Sequence, residues 1–217
     1  MVLVLALVIG NATILGASLW ARGATTTSRL DIDGVDNGVA VDAHVWRGAA
    51  PTAAGYRALA EAGVTTIVDL RSDSELDPAS DLLEELAVDL VRIPIRDGQT
   101  PTEADVGTFL DVVAEAEGVV FLHCGAGVGR TGAMAAAYAT TVGPTPGMEA
   151  LWRNLAVGPP SLEQIAFAAR GGSRAGVVVT TLSRVLDHAD LEIPWRDPLD
   201  GLRFNRFVVR TLVELRR

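Results

Sequence analysis

The stretch FLHCGAGVGRTG, residues 121–132, joins a continuous apolar run (119–124) to a small-residue helical pattern (131–142) through a turn with three glycines in five residues. An apolar run without polar alternation is how a strand buried on both faces of a parallel sheet reads. Parallel strands need crossover connections, usually helices. This one stretch therefore sets the expected class, an α/β layered domain, and the rest of the chain can be read outward from it.

Upstream, strand and helix patterns alternate. HVWRG (44–48) is a short strand. TAAGYRALAEAG (52–63) has a Thr cap, helical apolar spacing and a terminal Gly. VTTIVDL (64–70) is a β-branched strand, DPASDLLEELAVD (77–89) a helix with Pro in its first turn, LVRIPI (90–95) a strand and TPTEADVGTFLDVVAEAEG (100–118) a helix. Downstream, helices are expected over 131–142, 145–155, 160–170, 176–189 and 201–217. In the last of these, Phe204, Phe207, Val208, Leu212 and Leu215 share one face and Arg203, Arg206, Arg210 and Arg217 another. The pattern predicts a central, mainly parallel sheet of four to five strands flanked by helices, with right-handed crossovers.

Residues 1–21 carry no charged side chain, and about 20 apolar residues suffice to cross a bilayer as a helix. The expectation is a single-pass anchor at a cell membrane, preferred over a signal segment because a charged n-region is missing. Arg22 and Arg29 follow the apolar run and nothing basic precedes it, which points to a cytoplasmic C-terminal domain. Residues 22–34 read as a linker and 35–217 as the main globular domain.

The net charge of −9 repels polyanions and argues against a nucleic-acid partner. All 18 basic residues are arginine, so an anion site has to be built locally. A single cysteine forms no internal disulfide and rules out a Cys-rich zinc site. Cys124 is either core filler or reactive.

Its surroundings favour reactivity. A thiol at a strand end, followed by a glycine-rich curl and a helix N-terminus, faces backbone N–H groups that bind a tetrahedral oxyanion and stabilise a thiolate. Gly125, Gly127 and Gly129 permit the curl. Arg130 supplies a planar fork for two phosphate oxygens. A thiolate beneath a bound phosphoryl group leads to a cysteinyl-phosphate intermediate, with neither metal nor cofactor.

The segment HCGAGVGRTG resembles the H-C-x-x-G-x-x-R-[ST]-G signature of the cysteine-dependent protein tyrosine and dual-specificity phosphatases, at every fixed position. VWRGAAPT, GVTTIVDLRSDSE and IPIRDGQTPT extend the likeness to the small dual-specificity type over about residues 36–170. The resemblance implies Cys124 as nucleophile, Arg130 as phosphate clamp, and Gly125, Ala126, Gly127, Val128 and Gly129 as amide cradle. It also implies Thr131 steadying the thiolate leaving group and His123 orienting the loop. A leaving oxygen needs a proton; Asp97, on a loop beside Gly98, is the candidate acid, with Asp73 and Asp77 as fallback. Gln164 reads as a surface helix residue, or alternatively as the water-positioning glutamine of larger relatives. Arg71 reads as a loop brace.

The acid loop is IRD where larger tyrosine phosphatases have Trp-Pro-Asp, and the signature loop holds no lysine. A phosphorylated protein is therefore the expected substrate. The alternatives are a phosphoinositide or other small phosphomonoester, or a non-catalytic phosphate-binding module.

Overall fold

The computed structural model describes residues 2–72, 80–143 and 145–172, without the side chains of residues 2–7. Asp73 and Asp77, the start of the 77–89 helix, and the helices expected at 176–189 and 201–217 lie outside the described residues. Among the described residues six strands form one mixed sheet: β1 (Ser28–Arg29), β2 (Val39–Ala40), β3 (Val45–Ala49), β4 (Val64–Asp69), β5 (Asp89–Arg92) and β6 (Val119–Cys124), in spatial order β1-β2-β3-β6-β4-β5. The four strands read from the sequence are the parallel part, β3-β6-β4-β5. β1 and β2 add an antiparallel edge. Two residues each are too few to show a period of two, so these strands leave no mark in the sequence pattern.

β6 is central, flanked by β3 and β4, and its residues from Val120 to Cys124 are buried. That is the physical content of its unbroken apolar run. Helices cover both faces. On one, Tyr56 and Leu59 of α2 (Ala53–Glu61) and Leu83 of α3 (Ser80–Glu85) pack with Val64, Ile67 and Phe121. On the other, Phe109 of α4 (Glu103–Glu115) and Met134 and Tyr138 of α5 (Gly129–Val142) pack with Val45, Val68, Val120 and Leu122. Helix starts follow side-chain caps: the Thr52 hydroxyl accepts from the Gly55 N–H, and Thr102 with Asp105 forms a reciprocal capping box at α4. α6 (Gly147–Val157) and α7 (Leu162–Ala169) pack on α5 and on each other.

The N-terminal segment requires a correction. It is a helix, α1 (Val2–Ala24), but among the described residues no helix is long and apolar enough to cross a membrane. The second half of α1 belongs to the domain. Ile14 and Ala21 are buried against Leu151, Leu155 and Ala156 of α6, and Trp20 meets Trp152 edge-to-face at 5.1 Å. Ser18 Oγ donates to the Leu155 carbonyl at 2.7 Å and Arg22 to the Val157 carbonyl at 3.2 Å. The membrane partner and single-pass anchor expected from composition thus lose their support, because the uncharged run supplies a packing face. The expected linker, 22–34, contains the last turn of α1 and strand β1.

This docking has a measurable consequence. Ile14→Ala removes a buried side chain from the α1–α6 contact and should cost about 2 kcal/mol, lowering Tm by roughly 4–8 °C in a domain of this size. Thermal unfolding followed by circular dichroism checks it. A Tm equal to that of the unsubstituted chain would mean that α1 is not part of the folded unit.

Candidate active site

β6 delivers Cys124 to the sheet's C-terminal edge, and α5 starts at Gly129, so residues 125–128 form the connecting loop. Cys124 is free and buried. Three successive loop carbonyls are occupied from outside: Gly125 O accepts from Ala50 N at 3.1 Å, Ala126 O from Asn37 Nδ2 at 3.0 Å and Gly127 O from Arg47 NH2 at 2.7 Å. In a planar trans peptide the carbonyl and the following N–H point in opposite directions. Fixing these carbonyls outward turns the N–H groups of residues 126, 127 and 128 inward. The N-cap of α5, Val128, brings no side-chain acceptor to the helix start. The result is a concave set of backbone donors beside a thiol, at the positive end of a 14-residue helix.

The three loop glycines are not equivalent. Gly127 alone lies in the left-handed region, at φ +68, and a Cβ there would sit 2.2 Å from the Gly48 carbonyl carbon. Gly129 is needed for another reason, since a Cβ would meet Gln164 Oε1 at 2.5 Å. A Cβ on Gly125 would meet only the end of the Arg130 side chain, at 3.8 Å. The curl therefore depends on Gly127, and Gly129 depends on what packs over it.

Arg47 is a functional side chain that the sequence reading passed over as part of a short strand. It is buried, makes no ion pair among the described residues, and bridges Gly127 O and Asn154 Oδ1, the latter at 3.0 Å. Burial pushes its guanidinium down to about 10, with the charge of Cys124 acting against that shift, so it stays cationic at neutral pH. Asn154, from α6, also lies where a Cβ on Gly132 would fall, 1.9 Å from Oδ1. The pairing of Gly132 with Asn154 explains why the signature ends on glycine. One signal could have found Arg47: an arginine at a buried position of a strand adjoining the cysteine strand.

His123 is fully buried, with Nδ1 3.3 Å from the Cys124 carbonyl oxygen and 3.8 Å from Asp69 Oδ1. Asp69 is clasped by Arg71 through Nε at 3.0 Å, NH2 at 3.0 Å and the backbone N–H at 2.9 Å. The brace expected of Arg71 is thus an Asp69-centred cluster beneath the loop. Thr131 is buried at the helix start, and its hydroxyl makes no hydrogen bond within the described residues.

Asp97 comes to the opposite wall. Arg130, itself buried, donates through NH1 to the Ile95 carbonyl at 3.1 Å, and its NH2 lies 3.5 Å from Asp97 Oδ1. The Asp97 side chain is about half exposed. The contact brings the Asp97 loop to the start of α5, next to the loop that follows Cys124. Gln164 is buried, not the surface residue expected, and donates through Nε2 to the Gln99 carbonyl of the Asp97 loop at 3.0 Å.

A family model described as DSP-PTPase phosphatase fused to NAD+ kinase matches residues 20–167. Over 42 residues the chain is 55% identical to the dual specificity protein phosphatase CDC14C of Homo sapiens, a match covering 19% of this chain and 9% of that protein. It is 45% identical to CDC14B of Mus musculus over the same length and shares. The chain therefore spans only a small part of these curated relatives. Among solved structures, P. aeruginosa TpbA in complex with pTyr is similar with a TM-score of 0.55 and 24% identity, over 74% of this chain and 95% of that one. PTPMT1 in complex with PI(5)P gives a TM-score of 0.54 and 21% identity, over 63% and 95%. Identities this low speak for a shared fold alone. Because the family model spans more than half of the sequence, from the end of α1 into α7, this chain belongs to the DSP-PTPase phosphatase family.

Proposed function

We propose that this chain is a phosphoprotein phosphatase, of tyrosine or dual specificity, that hydrolyses phosphate monoesters through a cysteinyl-phosphate intermediate. The observations that support the reading are the loop after Cys124, whose carbonyls are held from outside so that the amides of residues 126–128 face the other way, and the Arg130–Asp97 contact at the start of the following helix. The amides and the Arg130 fork hold the three non-bridging phosphoryl oxygens, where charge spreads in the transition state. The Cys124 thiolate attacks phosphorus in line, forming the S–P bond as the ester P–O bond breaks. Asp97 gives its proton to the departing oxygen. In the second half-reaction Asp97 takes a proton from water, the water oxygen bonds phosphorus, and the S–P bond breaks. The Thr131 hydroxyl then donates to the thiolate as it leaves. Arg47 holds the cradle in shape from below and contributes positive charge near the sulfur.

A fold neighbour solved with pTyr bound supports a phosphoprotein substrate. A second reading, a lipid or other small phosphomonoester, is favoured by the neighbour solved with PI(5)P. Against it, the loop brings one cation, Arg130, and the chain holds no lysine with which to meet further phosphates. Initial rates on phosphotyrosine and phosphoserine peptides, p-nitrophenyl phosphate and phosphoinositide vesicles decide between them. Fastest turnover is expected on a phosphopeptide; fastest turnover on the lipid would replace the first reading with the second.

Cys124→Ser should abolish turnover and leave the fold intact, because a hydroxyl in the same cradle ionises far less readily. Wild-type kcat in that variant would end the cysteine mechanism.

Asp97→Ala should lower kcat by about 10²–10⁴ with KM little changed, since the cradle amides are untouched and Arg130 keeps its bond to the Ile95 carbonyl. The loss should be greater on phosphoserine, which leaves as an alkoxide, than on p-nitrophenyl phosphate, and the basic limb of the pH profile should flatten. Unchanged rates with an intact bell-shaped profile would move the acid elsewhere.

A further inference from the structure

The loop carrying Asp97 is held at three points by the first turn of α7. Ser161 Oγ donates to the Gly98 carbonyl at 3.1 Å, Gln164 Nε2 to the Gln99 carbonyl at 3.0 Å, and Thr100 Oγ1 to Glu163 Oε1 at 3.3 Å. Two of these α7 side chains also form the helix's reciprocal cap. Ser161 Oγ accepts from the Gln164 N–H at 3.3 Å, and Gln164 Oε1 accepts from the Ser161 N–H at 2.9 Å. The Ser161 hydroxyl thus uses a lone pair on its own helix and its single proton on the loop. On the other side of that bond lies Gly98, at φ +82, directly after Asp97. Asp97 is half exposed, with little packing of its own to fix it 3.5 Å from Arg130.

We infer that the N-cap of α7 is a latch for the acid loop, and that Ser161 is a positioning residue that sets Asp97 over the cradle through its bond to Gly98. The inference rests on the reading of Asp97 as the general acid. It joins two elements 63 residues apart and gives a helix cap a second duty. Proton transfer is sensitive to the acid's placement, so loosening the latch acts on the leaving-group step and spares binding.

The two duties of the hydroxyl can be separated. Ser161→Asp keeps a strong N-cap acceptor but has no proton for Gly98. Ser161→Thr keeps both functions. The assay compares phenyl phosphate with p-nitrophenyl phosphate, aryl esters that differ in their need for leaving-group protonation, with Tm measured alongside. For Ser161→Asp the expected result is a retained Tm, a kcat on phenyl phosphate lower by about two- to tenfold, the equivalent of one hydrogen bond, and little change on p-nitrophenyl phosphate. Ser161→Thr should restore the phenyl phosphate rate.

Equal losses on both esters, or wild-type rates on both, would overturn the latch. Asp97→Ala in the same assay separates this failure from that of the underlying reading. If Asp97→Ala discriminates between the esters and Ser161→Asp does not, the latch alone falls. If Asp97→Ala does not discriminate, the acid assignment falls and the latch with it.

Discussion

The outward turn of the Gly125, Ala126 and Gly127 carbonyls is the constraint on which the rest of this site depends. Each is held by a donor from beyond the loop: Ala50 N, Asn37 Nδ2 and Arg47 NH2. Two of the three donors belong to β3 or the residue just after it, and β3 lies beside β6 in parallel register, with Ala49 opposite Cys124. The sheet order therefore does more than bury a core. It sets a neighbouring strand where its end can hold the loop open, and it requires Gly127 at positive φ against the Gly48 carbonyl. A buried cation without a carboxylate is costly in a core. Here Arg47 is offset by two oxygen acceptors and by the charge of Cys124.

A second layer fixes the other side. α6 and α7 reach the loop through Asn154 and Gln164, and each stands where a side chain on α5 would otherwise be, at Gly132 and Gly129. Three of the four glycines in the signature are thus of two kinds. One is needed for backbone conformation, and two are needed because polar side chains of later helices approach the start of α5. Gln164 reaches onward to the Asp97 loop, so the last described helix touches both halves of the site.

The four parallel strands and the helices between them were legible because each carries a periodic or continuous apolar run long enough to read. Cys124, Arg130 and the cradle were legible because the chemistry occupies ten contiguous residues. Arg47, Asn37 and Asn154 were not, for the opposite reason: Arg47 and Asn37 bond the loop from 80 and 89 residues away along the chain, and Asn154 bonds Arg47 from 107 residues away, all within ordinary-looking segments. Gln164 was read as a surface residue because helical spacing says which face is polar but not that the polar face caps its own helix against a loop. The first helix failed differently. An uncharged apolar run satisfies a bilayer and a protein surface equally well, and it is the packing of Ile14, Trp20 and Ala21 on α6, with Ser18 and Arg22 bonded to α6 carbonyls, that tells the two apart.

The account's central claim is that phosphate passes through the sulfur of Cys124. Acid quenching during turnover of a phosphopeptide, followed by proteolysis and mass spectrometry, tests this directly. A phosphorylated peptide containing residues 121–130 with the phosphate on Cys124 is expected, absent from unreacted protein and lost once the substrate is exhausted. Steady turnover with Cys124 unmodified at every time sampled, or phosphate on any other side chain, would contradict it.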